Sequence, residues 1–168
     1  MLKYNPLNNF KMKKIKDMMT ASPKTVGKNE NLKTVVNQMS KSNIGSIPVV
    51  DDEKKVIGIV TDRDISLALS KSDKKINEIK VQDVMTSEVH TCKEEDDAVK
   101  ALGIMRSQKV GRLPVINTEN KLTGIITLDG ILRKAQHTTQ KDELIYKGKE
   151  NVINTLNAIA ERNELVHS

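Results

Sequence analysis

Hydrophobic positions follow two alternating periods along the first half of this chain. Apolar residues recur with the spacing of one helical face at Leu32, Val35, Val36 and Met39. Two runs rich in β-branched residues come next, separated by a polar, turn-like stretch, and predict a β-hairpin: SIPVV (46–50) and KVIGIV (55–60). After Thr61 the spacing is helical again. The pattern therefore predicts a helix, two strands and a second helix.

The same pattern returns 66 residues later without insertion or deletion. Three motifs recur in order: DMMT (17–20) as DVMT (83–86), GSIPVV (45–50) as GRLPVI (111–116), and GIVT (58–61) as GIIT (124–127). The matching helical face has its apolar residues at Ala98, Ala101, Leu102 and Met105. Acidic and amide residues precede both of these helices, Asn29 and Glu30 in the first copy and Glu94, Glu95 and Asp96 in the second, where they favour the helix dipole. With a short early strand added, each copy is predicted to be a strand–helix–strand–strand–helix unit.

The repeat defines the domain organisation of the chain. We assign residues 1–14 to a basic N-terminal segment, 15–70 to the first unit, 71–80 to a polar linker, 81–136 to the second unit and 137–168 to a C-terminal extension. One such unit buries too little surface to be secure alone, so we expect two sheets packed face to face about a pseudo-twofold axis. The fold class is α/β in the broad sense, or α+β.

Beyond the second unit, the C-terminal extension predicts one more amphipathic helix. Its apolar residues are Val152, Ile153, Leu156, Ile159 and Ala160. We expect this helix to pack on the core or to join two subunits, rather than to recruit another protein.

Composition narrows the possible functions. The formal net charge of +6 arises within residues 1–28, which hold seven lysines and one aspartate, so the rest of the chain is balanced. Only 2% of the residues are aromatic, which disfavours stacking platforms for nucleic acid, and a basic tail without a recognition motif is more often a solvated end. No apolar run is long enough for a membrane span or a secretory signal. We therefore expect a cytoplasmic protein.

Catalytic and metal-binding chemistry finds little support in the sequence. The three histidines are scattered along the chain, and Cys92 is the single cysteine, without a neighbour at metal-ligand spacing. A nucleophile, a base and an orienting group are not brought together by any motif. We expect no enzyme activity, no metal and no required cofactor, and we expect Cys92 to be a buried thiol.

The three repeated motifs together resemble the cystathionine-β-synthase (CBS) domain family. The likeness covers residues 15–136, and a tandem pair of such domains is called a Bateman module. The resemblance implies two units packed sheet to sheet, with two clefts between them that bind AMP, ADP, ATP or related adenosyl ligands such as S-adenosylmethionine. It also implies that the module forms a homodimer.

Thr61 and Asp64 are the strongest candidates for contacts with such a ligand. A strand that delivers Thr61 to the start of a helix places its hydroxyl and the free amides of the first turn where a phosphate is favoured. The Asp64 carboxylate can accept hydrogen bonds from both ribose hydroxyls. The same pair also fits a helix capping box, in which Thr61 and Asp64 satisfy each other's backbone amides. Both interpretations remain open.

Further site residues follow from the resemblance to the family. It implies that Arg112 and Lys109 face phosphate, and arginine suits that role better. It implies adenine slots at Thr25, Ile44 and Gly45 in one copy and at Thr91, Val110 and Gly111 in the other. Arg63, inside the motif of Thr61 and Asp64, and Thr127, the counterpart of Thr61, complete the candidate set.

The two copies differ at positions that matter for such a ligand. Gly130 stands where the first copy has Asp64, and Asp129 is about 100° away around the helix. Ser46 stands where the second copy has Arg112, so one copy alone supplies a cation at that position. We therefore expect one competent cleft, at Asp64, and AMP or ADP rather than ATP.

Three functions from different classes are consistent with these features. The first is a stand-alone regulatory module that binds an adenine nucleotide and signals to a separate effector protein. The second is a ligand-free dimeric interaction or stress-response protein. The third is association with nucleic acid through the basic N-terminal segment, which is the weakest of the three because no recognition motif accompanies that segment.

Overall fold

The structure is a computed structural model that describes residues 14–136 and 143–164. The first copy contains, in order, α1 (Ile15–Met18), β1 (Thr20–Ala21), β2 (Val26–Gly27), α2 (Leu32–Ser42), β3 (Ser46–Val50), β4 (Val56–Thr61) and α3 (Asp62–Ser70). The second contains a 3₁₀ turn (Val81–Asp83), β5 (Cys92–Lys93), α4 (Ala98–Gln108), β6 (Arg112–Ile116), β7 (Leu122–Thr127) and α5 (Leu128–Gln136), and α6 (Glu143–Glu164) follows. The predicted α/β fold with a C-terminal helix is confirmed.

Helices α2 and α4 are each capped by the residue that directly follows the acidic and amide positions named from the sequence. Asn31 accepts a hydrogen bond from the Thr34 amide at 3.1 Å, and Asp97 accepts one from the Lys100 amide at 2.8 Å. Each helix then buries one apolar stripe against its own sheet, with Leu32, Val35 and Met39 in α2 and Ala101, Leu102 and Met105 in α4. Propensity, capping and burial therefore agree in both copies.

Each copy forms its own sheet. In the first, β3 and β4 pair as an antiparallel hairpin and β2 lies parallel to β3, giving the order β2-β3-β4. In the second, β6 and β7 repeat this hairpin and β5 repeats the parallel pairing. Strand β1 from the first copy joins the second sheet antiparallel to β7, which gives the order β1-β7-β6-β5.

The opening segments of the two copies are exchanged between the cores. Ile15 and Met18 of α1 are buried in the core of the second unit, beside Leu113 and Ile126. Conversely Val81, which opens the second copy, is fully buried in the core of the first unit. Each hydrophobic core therefore contains residues from the opening segment of the other copy.

The segment 71–80, predicted as a polar linker, also belongs to the first core. Ile79 is buried there and Ile76 packs against the same cluster. The Leu32 amide donates a hydrogen bond to the Ile79 carbonyl at 3.0 Å, which holds the segment at the start of α2. The lysine-rich segment that joins the two units therefore also contributes two isoleucines to the first core.

Helix α6 packs on the second unit, mainly on α4 and less on α5. Val152 and Thr155 are buried, and the Thr155 hydroxyl donates to the Leu102 carbonyl at 3.4 Å. Of the other predicted apolar positions, Ile159 is half-buried, whereas Ile153 and Leu156 are exposed. The basic N-terminal segment, apart from Lys14, and the stretches 137–142 and 165–168 lie outside the described residues.

Candidate functional site

Two contacts between equivalent positions mark where the units meet. The Arg112 guanidinium donates a hydrogen bond to the hydroxyl of Ser46 at 2.6 Å, and these positions are 66 residues apart. At the other end of the hairpins, Lys55 and Lys121, also equivalent, form an isolated antiparallel bridge. Residues that contact their own counterparts lie beside the pseudo-twofold axis. The axis therefore passes between both pairs, and the expected sheet-to-sheet packing is seen.

Both strand-to-helix junctions lie next to the Ser46–Arg112 contact. Across the first hairpin Ser46 is paired with Thr61, and across the second Arg112 is paired with Thr127. The N-termini of α3 and α5, with their unsatisfied amides, therefore start on either side of one hydrogen bond between the units. The described structure thus brings together four residues at this point: Ser46, Thr61, Arg112 and Thr127.

The first junction is closed by a capping box. Asp64 Oδ2 accepts hydrogen bonds from the Thr61 amide at 2.8 Å and from the Thr61 hydroxyl at 2.7 Å. In return the Asp64 amide donates to the Thr61 hydroxyl oxygen at 3.2 Å. Both bonds to the carboxylate fall on Oδ2. Atom Oδ1 is therefore the acceptor that a ligand hydroxyl could use without breaking the cap.

The second junction keeps half of this arrangement. The Gly130 amide donates to the Thr127 hydroxyl at 3.0 Å, as Asp64 does to Thr61, but there is no carboxylate at this position. Asp129 pairs instead with Arg133 at 2.9 Å, and both side chains are largely exposed. Asp129 therefore does not take over the position of Asp64, as expected from its place on the helix.

A recess of about 580 Å³ opens beside this second junction. Its walls come from α1, β1, β7 and α5, and its lining consists of Met18, Met19, Thr20, Ile125, Thr127, Gly130, Arg133 and Lys134. Two basic residues border it, whereas the first turn of α3 carries Asp62 and Asp64. The second junction, with its recess, is therefore the more favourable of the two for an anion. The first junction is the more favourable for hydroxyl groups.

The remaining predicted site residues are distributed around the two sheets. Val26 is paired with Val49 in parallel strands, so Thr25 lies beside Pro48, two residues from Ser46, and Thr91 has the same place beside Pro114. The Gly45 and Gly111 carbonyls accept the first amides of α3 and α5 at 3.1 and 3.0 Å. Both threonines and both glycines therefore lie at or near the junctions.

The other four predicted residues have different surroundings. Ile44 lines a groove between α2 and α3, and Val110 packs against the second core beneath α6. Lys109 forms an ion pair with Glu161 of α6 at 3.9 Å. Arg63 is exposed, with its amide bonded to the Asp62 carboxylate at 2.8 Å. No bond of these four side chains to Thr61 or Asp64 is seen in the described part of the chain, and their role toward a ligand remains a prediction.

Cys92 lies in β5, inside the second core, and its thiol is buried. Burial raises the pKa of the Cys92 thiol to about 12, so it stays protonated at neutral pH. Within residues 14–136 and 143–164, no three histidine, cysteine or acidic side chains cluster as a metal site would require. No helix in the same ranges has the length and apolarity needed to cross a membrane.

Comparison with known families gives a direct match to each copy. The CBS domain profile matches residues 15–71 and 81–137. The chain belongs to the CBS domain family. It is a tandem CBS pair, or Bateman module, as the repeated motifs indicate.

Relatives with the CBS pair occur in proteins of very different length. The chain is 37% identical over 131 residues to the uncharacterized protein YlbB of Bacillus subtilis, which covers 77% of this chain and 86% of that protein. It is 40% identical over 124 residues to an inosine-5'-monophosphate dehydrogenase of Methanocaldococcus jannaschii. That match covers 73% of this chain and only 23% of the dehydrogenase. The CBS pair is therefore shared with a larger enzyme and with a small protein.

Two solved structures of CBS pairs resemble the fold and hold adenosyl ligands. The CBS domain pair of protein MJ0100, in complex with 5'-methylthioadenosine and S-adenosyl-L-methionine, aligns with a TM-score of 0.66 and 27% identity. The alignment covers 73% of this chain and 95% of that chain. CBSX2 in complex with AMP aligns with a TM-score of 0.65 and 25% identity, covering 76% and 98%. CBS pairs similar to this chain therefore bind AMP or S-adenosylmethionine.

Sequence reasoning missed the Ser46–Arg112 contact and the walls of the recess. The repeat shows that Ser46 and Arg112 are equivalent positions. Two equivalent residues can contact each other only beside the axis that relates the copies, but the sequence does not show which positions lie there. For the recess, the recurrence of DMMT and DVMT served only as evidence of the repeat, and no residue of these segments was assigned to a site. Their exchange between the units places Met19 and Thr20 beside Thr127.

Proposed function

We propose that this chain is a regulatory module that binds an adenine nucleotide, AMP or ADP, between its two CBS units and signals to a separate effector protein. The observation that carries the proposal is the Thr61–Asp64 junction beside the Ser46–Arg112 contact. It places a carboxylate with one uncommitted oxygen and a cation at the boundary of two units.

The chemistry of these groups matches the parts of a nucleoside phosphate. Asp64 Oδ1 can accept from ribose hydroxyls, and charge-assisted bonds of this kind are about twice as strong as neutral ones. Arg112 lies at the boundary between the units, where its planar guanidinium can turn from Ser46 to a phosphate. With one such arginine in the pair of equivalent positions, a monophosphate or diphosphate is favoured over a triphosphate. The complexes of MJ0100 and CBSX2 support the ligand class.

A nucleotide bound at this point would act on both units at once. Its effect on their relative placement is limited to the difference between its affinities for two arrangements of the units. Replacing the Ser46–Arg112 bond by an arginine–phosphate contact is one such difference. The effector protein that reads it out remains to be identified.

The complete capping box favours a second candidate, a ligand-free dimeric interaction protein. In that case Asp64 serves only to start α3, and both of its observed bonds are explained by helix capping. The two functions predict different results when Asp64 is replaced by asparagine, because the side-chain oxygen of asparagine can still cap the helix but its charge is lost.

We expect calorimetric titration of the full chain to give measurable heat with AMP or ADP, and weaker binding of ATP and S-adenosylmethionine. Asp64→Asn is expected to weaken AMP binding by about tenfold or more, the size of one lost charged hydrogen bond. Asp73→Asn is the charge-matched control, since Asp73 is exposed in the segment between the two units and is not among the candidate site residues. It should change the affinity by less than about threefold.

Absence of binding heat with all four ligands would contradict the proposal and support the ligand-free alternative. So would unchanged AMP affinity in Asp64→Asn. Thermal unfolding of both variants checks that the loss of binding is not a loss of fold.

A further inference from the structure

The last helix, α6, packs against the loop that precedes the candidate phosphate residue. Residues 109–111 join α4 to β6, and Arg112 is the first residue of β6. Ile159 Cδ1 lies 4.0 Å from the position of a Cβ on Gly111, and Lys109 forms an ion pair with Glu161 at 3.9 Å. Helix α6 therefore contacts the 109–111 loop at both of its ends.

The same loop is held on its other side by α5. The Gly111 carbonyl accepts a hydrogen bond from the Leu128 amide, the first amide of α5, at 3.0 Å. Val110 packs against the core of the second unit, as Ile159 does, and its amide donates to the Met105 carbonyl at 2.9 Å. The backbone just before β6 therefore lies between α5 and α6, and a shift of this backbone changes its contacts with these helices.

The equivalent loop of the first unit has different surroundings. Residues 43–45 are the counterparts of 109–111 at the repeat distance of 66, and in the described part of the chain they line an open groove. They precede Ser46, the uncharged counterpart of Arg112. Of the two loops, the one that leads into an arginine is therefore the one that α6 covers.

We propose that α6 positions Arg112 for the nucleotide phosphate, so that seating of α6 on the 109–111 loop and binding of the nucleotide favour each other. This inference rests on the nucleotide site proposed above. Arg112 donates to Ser46 at 2.6 Å in the structure, and a phosphate would replace that bond. A loop that is fixed before the ligand arrives loses less conformational entropy on binding, so a seated α6 raises the affinity for a phosphorylated nucleoside.

Thermodynamic linkage makes this effect reciprocal. If AMP binds more tightly when α6 is seated, bound AMP stabilises the seated helix by the same factor, and coupling between two sites usually amounts to about fivefold or more. Ile159 and Glu161 are then positioning residues, because they contact the loop that precedes Arg112. Helix α6 follows the residues that the CBS profile matches, so a segment outside the two CBS units would respond to occupancy of the site.

Hydrogen exchange of the full chain, with and without saturating AMP, tests the link from the nucleotide to the helix. The amides of α6 around Ile159 are expected to exchange about fivefold or more slowly when AMP is bound. Adenosine is the matched control ligand, because it lacks the phosphate that would bind Arg112. It should change the exchange of these amides by less than about twofold. Equal slowing by adenosine and AMP would overturn a link through the phosphate.

Substitutions in α6 test the reverse link, from the helix to the nucleotide. Ile159→Ala is expected to weaken AMP binding by about threefold or more and to leave adenosine binding unchanged. Ile153→Ala is the matched control, because Ile153 lies on the same helix with its side chain 55% exposed. Glu161→Lys, which sets a like charge against Lys109, should weaken AMP binding in the same direction. Its control is Glu150→Lys, at an exposed position near the other end of α6.

The outcomes separate this inference from the nucleotide site on which it rests. If AMP binds but the exchange of α6 does not change, the link to α6 is overturned and the nucleotide site stands. Equal effects of Ile159→Ala and Ile153→Ala on AMP affinity have the same consequence. Absence of binding heat with AMP in the wild type overturns the nucleotide site itself. Both glutamates are exposed, so the lysine variants keep the test available if Ile159→Ala does not fold.

Discussion

Ile15→Ala is expected to lower the free energy of unfolding by about 2–4 kcal/mol, the usual cost of removing a fully buried isoleucine side chain. Ile15 opens the first copy, yet its side chain is fully buried in the core of the second unit. Its backbone is fixed there as well, because the Ile15 amide donates to the Asp96 carbonyl at 2.9 Å. Urea denaturation followed by circular dichroism measures the effect.

Val99→Ala is the matched control for this substitution. Val99 lies on α4 of the same unit, but its side chain is 44% exposed, so its truncation should cost less than about 0.5 kcal/mol. A loss of similar size in both variants would argue against the burial of Ile15 in a hydrophobic core. The surface ion pair of Lys16 with Glu95, which also joins α1 to the second unit, is exposed and contributes little to this difference.

Gly124→Ala is expected to destabilise the protein by about 1–3 kcal/mol, as overpacking of a filled site usually does. A Cβ at Gly124 would clash with the Met19 sulfur and lie 3.1 Å from the backbone oxygen of Thr20. Glycine is therefore required because the exchanged segment crosses directly over the strand. The same relation holds in the first unit, where a Cβ at Gly58 would lie 2.6 Å from the Met85 sulfur.

Two further variants separate the steric effect from the general effect of adding a methyl group. Met19→Ala should recover part of the loss in the Gly124→Ala background, because it removes the nearest atoms, and a double-mutant cycle gives the size of that coupling. Gly103→Ala in α4 meets no atom within 4 Å and should stabilise the helix by about 0.5–1 kcal/mol. Additive effects of Gly124→Ala and Met19→Ala on the free energy of unfolding would show that there is no steric coupling between the two positions.

The elements of each unit could be predicted because the sequence repeats them with the right periods. The apolar stripes predicted for α2 and α4 include the residues that the structure buries, so local preference and burial point to the same helices. The caps, Asn31 and Asp97, lie one residue beyond the polar positions named from the sequence. The exchange of opening segments could not be predicted in this way. Hydrophobic period indicates that Ile15 and Met18 are buried, but it carries no information about which of two similar cores receives them.

The candidate site was predictable in its residue types but not in its geometry. Thr61 and Asp64 fit both a capping box and a ribose contact because both uses need the same carboxylate at the same place on the helix. The capping bonds are present, and the role toward a ligand remains a prediction. Lys109 was expected to face phosphate but pairs with Glu161, which the sequence could not indicate without the position of α6.

The most direct test of the nucleotide proposal compares AMP with 2'-deoxy-AMP on the wild-type chain and on Asp64→Asn. If Asp64 accepts from the ribose hydroxyls, the wild type should bind 2'-deoxy-AMP about tenfold or more weakly than AMP, as expected for a lost charged hydrogen bond. In Asp64→Asn this difference should shrink to less than about threefold. Equal affinity of the wild type for both nucleotides, or the same difference in both proteins, would contradict a ribose contact at Asp64.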